Sequence, residues 1–161
     1  MTTTFPEPGS ANHYLAAHVE RLLVSLRHWT GRYLVDPKLT IEEQARIIFH
    51  APFVVLSHNT DADPILNYAN RGGLELFELT WQELVVTPSR QTAEPVHRAE
   101  RDRLLSQVAG RGYIDDYRGV RISKHGRRFE IEHATVWNLL DELGAPYGQA
   151  ATFGAWRFLE P

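Results

Sequence analysis

The sequence predicts an α+β fold, a sheet with its helices collected on one face. Two amphipathic stretches come first, two short strands and several short helices follow, and the last third alternates apolar and polar residues over three long strands. Two strands, a run of helices and then three long antiparallel strands predict one sheet with its helices segregated on one face. A length of 161 residues is typical of one domain with a single core.

The first helix is predicted over residues 11–33, where apolar side chains recur at alternating intervals of four and three. The members of this stripe are Leu15, Val19, Leu22, Leu26, Trp29 and Tyr33. Such spacing predicts either a helix packed on the domain's own sheet or the seam of a homodimer, in which a second copy of the helix covers the stripe. The sequence leaves both alternatives open. Thr40 and Glu43 have the spacing of a helix start and predict a second helix to about His50.

Two short strands are predicted at residues 53–58 and 65–69, separated by a segment dense in turn formers. Asn70 follows the second strand and is expected to cap a short helix. Residues 80–83 have the pattern of a capping box and predict the start of another helix. A longer helix is predicted over residues 92–109 from the spacing of its apolar residues, and Gly110 and Gly112 are expected to end it.

Apolar side chains alternate most regularly in the last third of the chain. The clearest stretch consists of Phe129, Ile131, His133, Thr135 and Trp137. Strict alternation places all five side chains on the same buried face of one strand. His133 is therefore predicted to point its imidazole into the interior of the domain.

This order of elements resembles a PAS domain, in which two strands, a run of short helices and a three-stranded meander build one sheet. Residues 70–84, 124–129 and 141–148 resemble its helical segment, its hairpin and its final turn. A closer resemblance is to the MEKHLA domain, a PAS-related family of small standalone bacterial proteins and of plant homeodomain-leucine zipper regulators. The stretches that carry this resemblance are residues 66–70, 88–95, 112–123 and 134–139.

The resemblance implies a PAS-like five-stranded antiparallel sheet with short helices on one face, preceded by two N-terminal helices. Residues 1–50 would form the helical extension and residues 51–161 the PAS-like (MEKHLA) domain. The resemblance also implies a sensory or protein-interaction role, and the family supplies no agreed ligand. We expect a small ligand to bind noncovalently and the signal to pass to an unidentified partner protein or to the N-terminal helix. The candidate pocket residues are Phe53, Val55, Asn70, Phe77, Ile131, His133, Trp137 and Ala151.

The chain contains no cysteine, which excludes cysteinyl-adduct flavin photochemistry and thiol-linked chromophores. A noncovalently bound flavin or haem stays open, and His133 or His97 would be the axial ligand of a haem. No two of the eight histidines have helical ligand spacing, so no metal site is expected. Two further functions stay open: a small enzyme with His133 as general base and Asn70 or an arginine holding the substrate, and a ligand-free structural dimerisation domain.

The formal net charge of −3 hides a basic segment, since residues 90–128 carry ten Lys/Arg against five Asp/Glu. Arg98, Arg101 and Arg103 share a helix with two acidic residues. This arrangement is typical of a solvated helix face, so nucleic-acid binding is not favoured. No stretch is long and apolar enough for a membrane span and the N-terminus has no signal core, so we expect a cytoplasmic protein.

Overall fold

The computed structural model describes residues 4–160. The helices are α1 (Ala16–Thr30), α2 (Ile41–Phe49), α3 (Arg71–Phe77), α4 (Trp81–Leu84) and α5 (Pro95–Arg111). The strands are β1 (Val54–His58), β2 (Leu66–Ala69), β3 (Tyr113–Ile122), β4 (Arg128–Leu140), β5 (Pro146–Phe153) and β6 (Ala155–Phe158). Short 3-10 turns occur at Ser10–Leu15 and Ser89–Thr92. No helix in the described range is long and apolar enough to cross a membrane.

Three of the helices begin at the capping residues that the sequence predicts. The Thr40 hydroxyl accepts a hydrogen bond from a backbone N–H in the first turn of α2. Asn70 Oδ1 accepts a hydrogen bond of 3.1 Å from the Gly73 N–H and caps α3. At α4, Thr80 and Glu83 form a capping box in which each side chain accepts from the other's backbone N–H. The predicted starts of these helices are confirmed.

The strands form one antiparallel sheet in the order β2-β1-β5-β4-β3. The short strand β6 follows β5 and pairs with the first part of β4. The predicted antiparallel sheet is confirmed, with its last strand divided into β5 and β6. Gly148 lies where β5 passes closest to β1, because its φ is +150° and a Cβ there would collide with the backbone oxygen of His58.

Two bulges face each other in the pairing of β3 with β4. Asp116 and His133 both have a φ of 53°, and the register shifts by one residue on each strand around them. The bulge in β4 reverses the side to which later side chains point, because side chains alternate along a strand. Phe129 and Ile131 therefore pack in one cluster of the core and Trp137 in another, on the opposite face of the sheet.

Helices cover both faces of this sheet. On one face, Val108 of α5 packs against Val136 of β4. On the other face, Leu22 and Leu26 of α1 pack against Trp137, whose indole N–H donates a hydrogen bond of 3.1 Å to the Leu22 carbonyl. The predicted arrangement of the helices on one face is wrong in this respect. The helix α5 lies on the Val136 side, whereas α1, α2 and the Trp81 and Leu84 side chains of α4 pack in the cluster of the opposite layer.

All members of the apolar stripe except Tyr33, which lies beyond the end of α1 and is 49% exposed, are covered by the chain's own sheet. Val19, Leu22 and Leu26 are at most 1% exposed, and Leu15 and Trp29 are partly buried against the same cluster. This is the intramolecular alternative that the spacing allowed, so these five residues do not form a free seam for a second copy of the helix. A homodimer stays a prediction and would have to use another surface.

The turn between α5 and β3 also holds α1 in place. Gly112 has a φ of +95°, and a Cβ at this position would collide with the Trp29 ring. The Trp29 indole N–H donates a hydrogen bond of 3.0 Å to the Asn138 carbonyl in β4. Contacts at its C-terminal turn therefore add to the buried stripe in fixing α1 on the domain.

Candidate functional site

A small cavity of about 70 Å³ lies between the sheet and α5, on the face opposite α1. Most of its wall is apolar. The apolar wall consists of Leu56, Leu66, Phe77, Leu104, Leu105, Ile131, Val136, Ala150, Ala151 and Phe153. The polar wall consists of Ser57, His58, Ser89, Thr92, Arg101, Tyr117, Arg121 and Gln149. A mainly apolar space with polar groups in its wall is the usual composition of a small-molecule site.

Arg101 of α5 points into the protein and not into solvent. It is only 7% exposed, and its guanidinium donates a hydrogen bond to the Ser89 hydroxyl. The solvated face predicted for Arg98, Arg101 and Arg103 is therefore wrong for Arg101. Within residues 4–160, its one ion pair is a contact of 3.8 Å with Asp102, whose side chain is 72% exposed. Burial, together with the nearby charge of Arg121, lowers the pKa of Arg101 to about 10, so the guanidinium stays protonated at neutral pH.

Arg121 of β3 is the second buried cation at the cavity and is 9% exposed. Its guanidinium donates to the Val120 carbonyl at 2.8 Å and to the Tyr117 hydroxyl at 3.4 Å, and lies 5.6 Å from the centre of the Tyr117 ring. Tyr117 reaches this position across Gly119, where a Cβ would collide with the phenol. No carboxylate within residues 4–160 forms an ion pair with Arg121.

His58 at the end of β1 adds an acceptor to the same wall. Its Nδ1 lies 2.9 Å from the Asn59 carbonyl, so Nδ1 carries the proton and Nε2 has the lone pair. Nε2 is buried without a hydrogen-bond partner among the described residues, because the adjacent Gln149 amide donates to the Leu105 carbonyl and the Asn138 side chain. Burial lowers the pKa of His58, and the charge of Arg101 acts in the same direction; the Nδ1 hydrogen bond to the Asn59 carbonyl and the adjacent Gln149 amide act against both.

Three of the eight candidate pocket residues line this cavity, namely Phe77, Ile131 and Ala151. Val55 and Trp137 pack in the cluster on the α1 face of the sheet, and Phe53 lies at its edge. The structure thus brings Phe77, Ile131 and Ala151 together at one cavity, whereas Phe53, Val55 and Trp137 lie on the α1 face of the sheet. Ligand binding at the three lining residues stays a prediction.

Asn70 has a structural role, since all of its side-chain hydrogen-bonding groups are used internally. Its Oδ1 accepts from the N–H groups of Val55 and Gly73, each at 3.1 Å. Its Nδ2 donates to the carbonyls of Ile48 at 2.9 Å and Phe53 at 2.7 Å. The side chain is fully buried and has no group left for a ligand or substrate.

The predicted inward orientation of His133 is wrong. His133 sits at the bulge of β4, its side chain is 72% exposed, and Nδ1 lies 2.6 Å from Oδ1 of the equally exposed Asp116. The bulge turns this residue out of the alternation that its neighbours follow. His133 and Asn70, which the enzyme alternative would combine, are not brought together at the cavity.

A buried histidine that sequence reasoning passed over connects α1 to the cavity wall. His18 of α1 lies 3.0 Å from both the Tyr147 hydroxyl and the Ser57 hydroxyl. Because Ser57 donates its own proton to Asn67 Oδ1, it accepts from His18 Nε2–H, and His18 Nδ1 accepts from Tyr147. Burial lowers the pKa of His18 to about 4, so the neutral ring is the form that fits.

Acidification is expected to destabilise the protein through His18. Between pH 6.5 and about 4 the unfolded chain takes up a proton that the folded chain excludes, so the free energy of unfolding falls as the pH falls. The lowering of the His18 pKa from 6.5 to about 4 corresponds to roughly 3 kcal/mol of unfolding free energy, at 1.36 kcal/mol per pKa unit. Urea unfolding at a series of pH values should give a smaller slope for His18→Gln than for wild type.

His28→Gln is the matched control for this measurement, because His28 is exposed on the same helix. It should keep the wild-type slope. Because the pKa of His58 is lowered too, the stability of His18→Gln should still decrease on acidification, but less steeply than that of wild type. Equal slopes in wild type and His18→Gln would contradict the assignment of a neutral, buried His18.

A flavin or haem does not fit the cavity in this conformation. Pockets for ligands of that class span about 300–1,000 Å³, several times the volume of about 70 Å³ found between sheet and helix. Neither His97 nor His133 lines the cavity, so neither is placed as an axial ligand. Within residues 4–160, no group of three or more His, Cys, Asp or Glu side chains is arranged to hold a metal ion.

The antiparallel sheet, the short helices after β2 and the cavity beneath α5 define a PAS-like fold. The PAS domain of a protein from Colwellia psychrerythraea matches with a TM-score of 0.60 at 15% identity, covering 74% of this chain and 96% of that one. A light-oxygen-voltage domain studied with a flavin analogue matches with a TM-score of 0.57 at 15% identity, covering 73% and 85%. At these identities the likeness concerns the fold alone.

The family model of the MEKHLA domain matches residues 16–158, and the chain belongs to this family. The matched range includes α1 and α2. The homeobox-leucine zipper protein ATHB-9 of Arabidopsis thaliana is 28% identical over 103 residues, which are 64% of this chain and 12% of that protein. HOX32 of Oryza sativa subsp. indica, another homeobox-leucine zipper protein, is 24% identical over 154 residues, 94% of this chain and 18% of that protein. The chain thus spans less than a fifth of the length of these relatives.

Proposed function

We propose that this chain is a PAS-like sensory module that binds a small molecule noncovalently in the cavity beneath α5. The observation that carries this proposal is the mainly apolar cavity with two buried arginines at its wall. Packed protein interiors seldom keep such a space, and buried guanidinium groups without a buried counter-charge are costly. A bound molecule that fills the cavity and contacts both arginines would offset the cost of the empty space and the cost of the buried charges.

The signal would pass from the cavity through β1 to α1. Leu56, Ser57 and His58 of β1 all line the cavity, and the Ser57 side chain bonds to His18 of α1. A ligand that displaces β1 therefore changes a buried contact of the N-terminal helix. From α1, or from the surface around it, the change would be transmitted to a partner protein.

Filling the cavity should abolish binding and leave the fold intact. Ala151→Leu adds apolar volume at the wall of the cavity, where overpacking costs about 1–3 kcal/mol. We expect the wild-type full chain to gain thermal stability with at least one compound of a small-molecule set, and Ala151→Leu to gain none. Near-ultraviolet circular dichroism would verify that the variant is folded.

Ala99→Leu makes the same chemical change at an exposed position of α5 and serves as the control. It should respond to the same compounds as wild type. Stabilisation that persists in folded Ala151→Leu would place the ligand outside this cavity. If no compound stabilises wild type and native mass spectrometry finds no retained molecule, the proposed function is wrong.

A further inference from the structure

We propose that the ligand of this cavity is a short organic carboxylate, held through its carboxylate group by Arg101 and Arg121. This inference rests on the proposed function and specifies its ligand class. Both arginines line the cavity from different elements, α5 and β3, and each is less than a tenth exposed.

The charges of the two arginines favour an anionic ligand. The sole ion pair that either guanidinium makes within residues 4–160 is the 3.8 Å contact of Arg101 with exposed Asp102. Two like charges in a water-poor space repel each other, and each has lost hydration on burial. An anion between the two guanidinium groups would screen their repulsion and replace the hydration that each has lost. A planar carboxylate matches the donor geometry of a guanidinium.

The donors of both arginines are only partly used by the protein. Arg101 donates to the Ser89 hydroxyl, and Arg121 donates to the Val120 carbonyl and the Tyr117 hydroxyl. A guanidinium has five N–H donors, so both retain donors for a ligand. The bonds to Ser89 and Tyr117 fix the orientation of the two groups before a ligand arrives.

The rest of the wall selects the size and character of the anion. A volume of about 70 Å³ holds about five water-sized groups, the size of propionate or lactate. The apolar side chains of Leu104, Ile131 and Val136 suit a short hydrocarbon tail, which an inorganic phosphate does not have. The unpartnered Nε2 of His58 would accept a hydrogen bond from a hydroxyl beside the carboxylate.

Calorimetric titration of the full chain tests this assignment with propionate, lactate, propionamide and inorganic phosphate. We expect wild type to bind propionate but not propionamide, which has the same shape without the charge. Lactate should bind about two- to tenfold more tightly than propionate because its hydroxyl adds one hydrogen bond. His58→Phe should remove that difference, and equal affinities in wild type would exclude His58 from the site.

Arg101→Met and Arg121→Met should each weaken propionate binding by at least about tenfold, the effect of losing charge-assisted hydrogen bonds. Both variants should unfold at or above the wild-type temperature without ligand, because a buried charge that lacks a buried counter-charge is removed. Arg103→Met, an exposed arginine on the same helix, should bind like wild type.

The outcomes separate this inference from the proposed function. If neutral compounds stabilise wild type and not Ala151→Leu, while propionate does not bind, the cavity is a ligand site and the carboxylate class is wrong. Binding of phosphate in place of propionate would overturn the class too. Unchanged propionate affinity in Arg101→Met and Arg121→Met would remove both arginines from the site.

Discussion

Leu22→Asp is expected to unfold the protein or to lower its free energy of unfolding by more than about 4 kcal/mol. Leu22 is fully buried between α1 and the sheet, where an introduced carboxylate would have neither water nor a cation. The total free energy of unfolding of a domain is about 5–15 kcal/mol, so this loss is most of it. Urea unfolding followed by tryptophan fluorescence measures the change, since Trp137 packs in the same cluster.

Val24→Asp is the matched control because Val24 lies on the same helix and is 49% exposed. Its free energy of unfolding should stay within about 1 kcal/mol of wild type. A Leu22→Asp protein that keeps wild-type stability would show that residues 51–161 fold without α1, as the predicted division at residue 50 implies. Sedimentation of wild type and Val24→Asp would add the oligomeric state and so test the predicted homodimer.

Local signals predicted most of the elements. Thr40, Asn70 and Thr80 each cap a helix through one side chain and a backbone N–H a few residues away, so the pattern is contained in a short window. The alternation of the last third likewise predicted long antiparallel strands. Both kinds of prediction depend on interactions between near neighbours in sequence, which explains their success.

The orientation of His133 depends on the bulge in β4, which the alternation of apolar and polar residues does not reveal. Both faces of β4 are buried after the bulge, so apolar residues keep their period of two across it while the side they face changes. His133 and Asp116 adopt positive φ together, on two different strands. A feature created by two strands in register has no signature within either strand alone.

The buried arginines were missed for a different reason. Arg101 is three residues before Leu104 and seven before Val108, which places it on the apolar face of α5. That spacing was a usable signal, but the nearby acidic residues made a solvated face the simpler interpretation. Arg121 had no such signal, because its burial depends on how β3 passes beneath α5.

Asn70→Asp is expected to lower the free energy of unfolding by about 3–5 kcal/mol, although it changes the shape of the side chain very little. The native Nδ2 donates to the carbonyls of Ile48 and Phe53, which would then face a carboxylate oxygen. Two donor bonds are lost, and two oxygen–oxygen repulsions appear in a site without water. Thermal and urea unfolding at neutral pH measure the loss.

Asn67→Asp is the control for this change and lies three positions earlier, in β2. Asn67 is half-buried and accepts a hydrogen bond from Ser57 through Oδ1, a role that a carboxylate keeps, so its effect should stay below about 1 kcal/mol. Burial raises the pKa of the carboxyl group introduced in Asn70→Asp, and its protonated form can donate one bond again. The deficit relative to wild type at the same pH should therefore shrink on acidification. A deficit that is constant with pH would mean that lost packing, and not the buried charge, causes it.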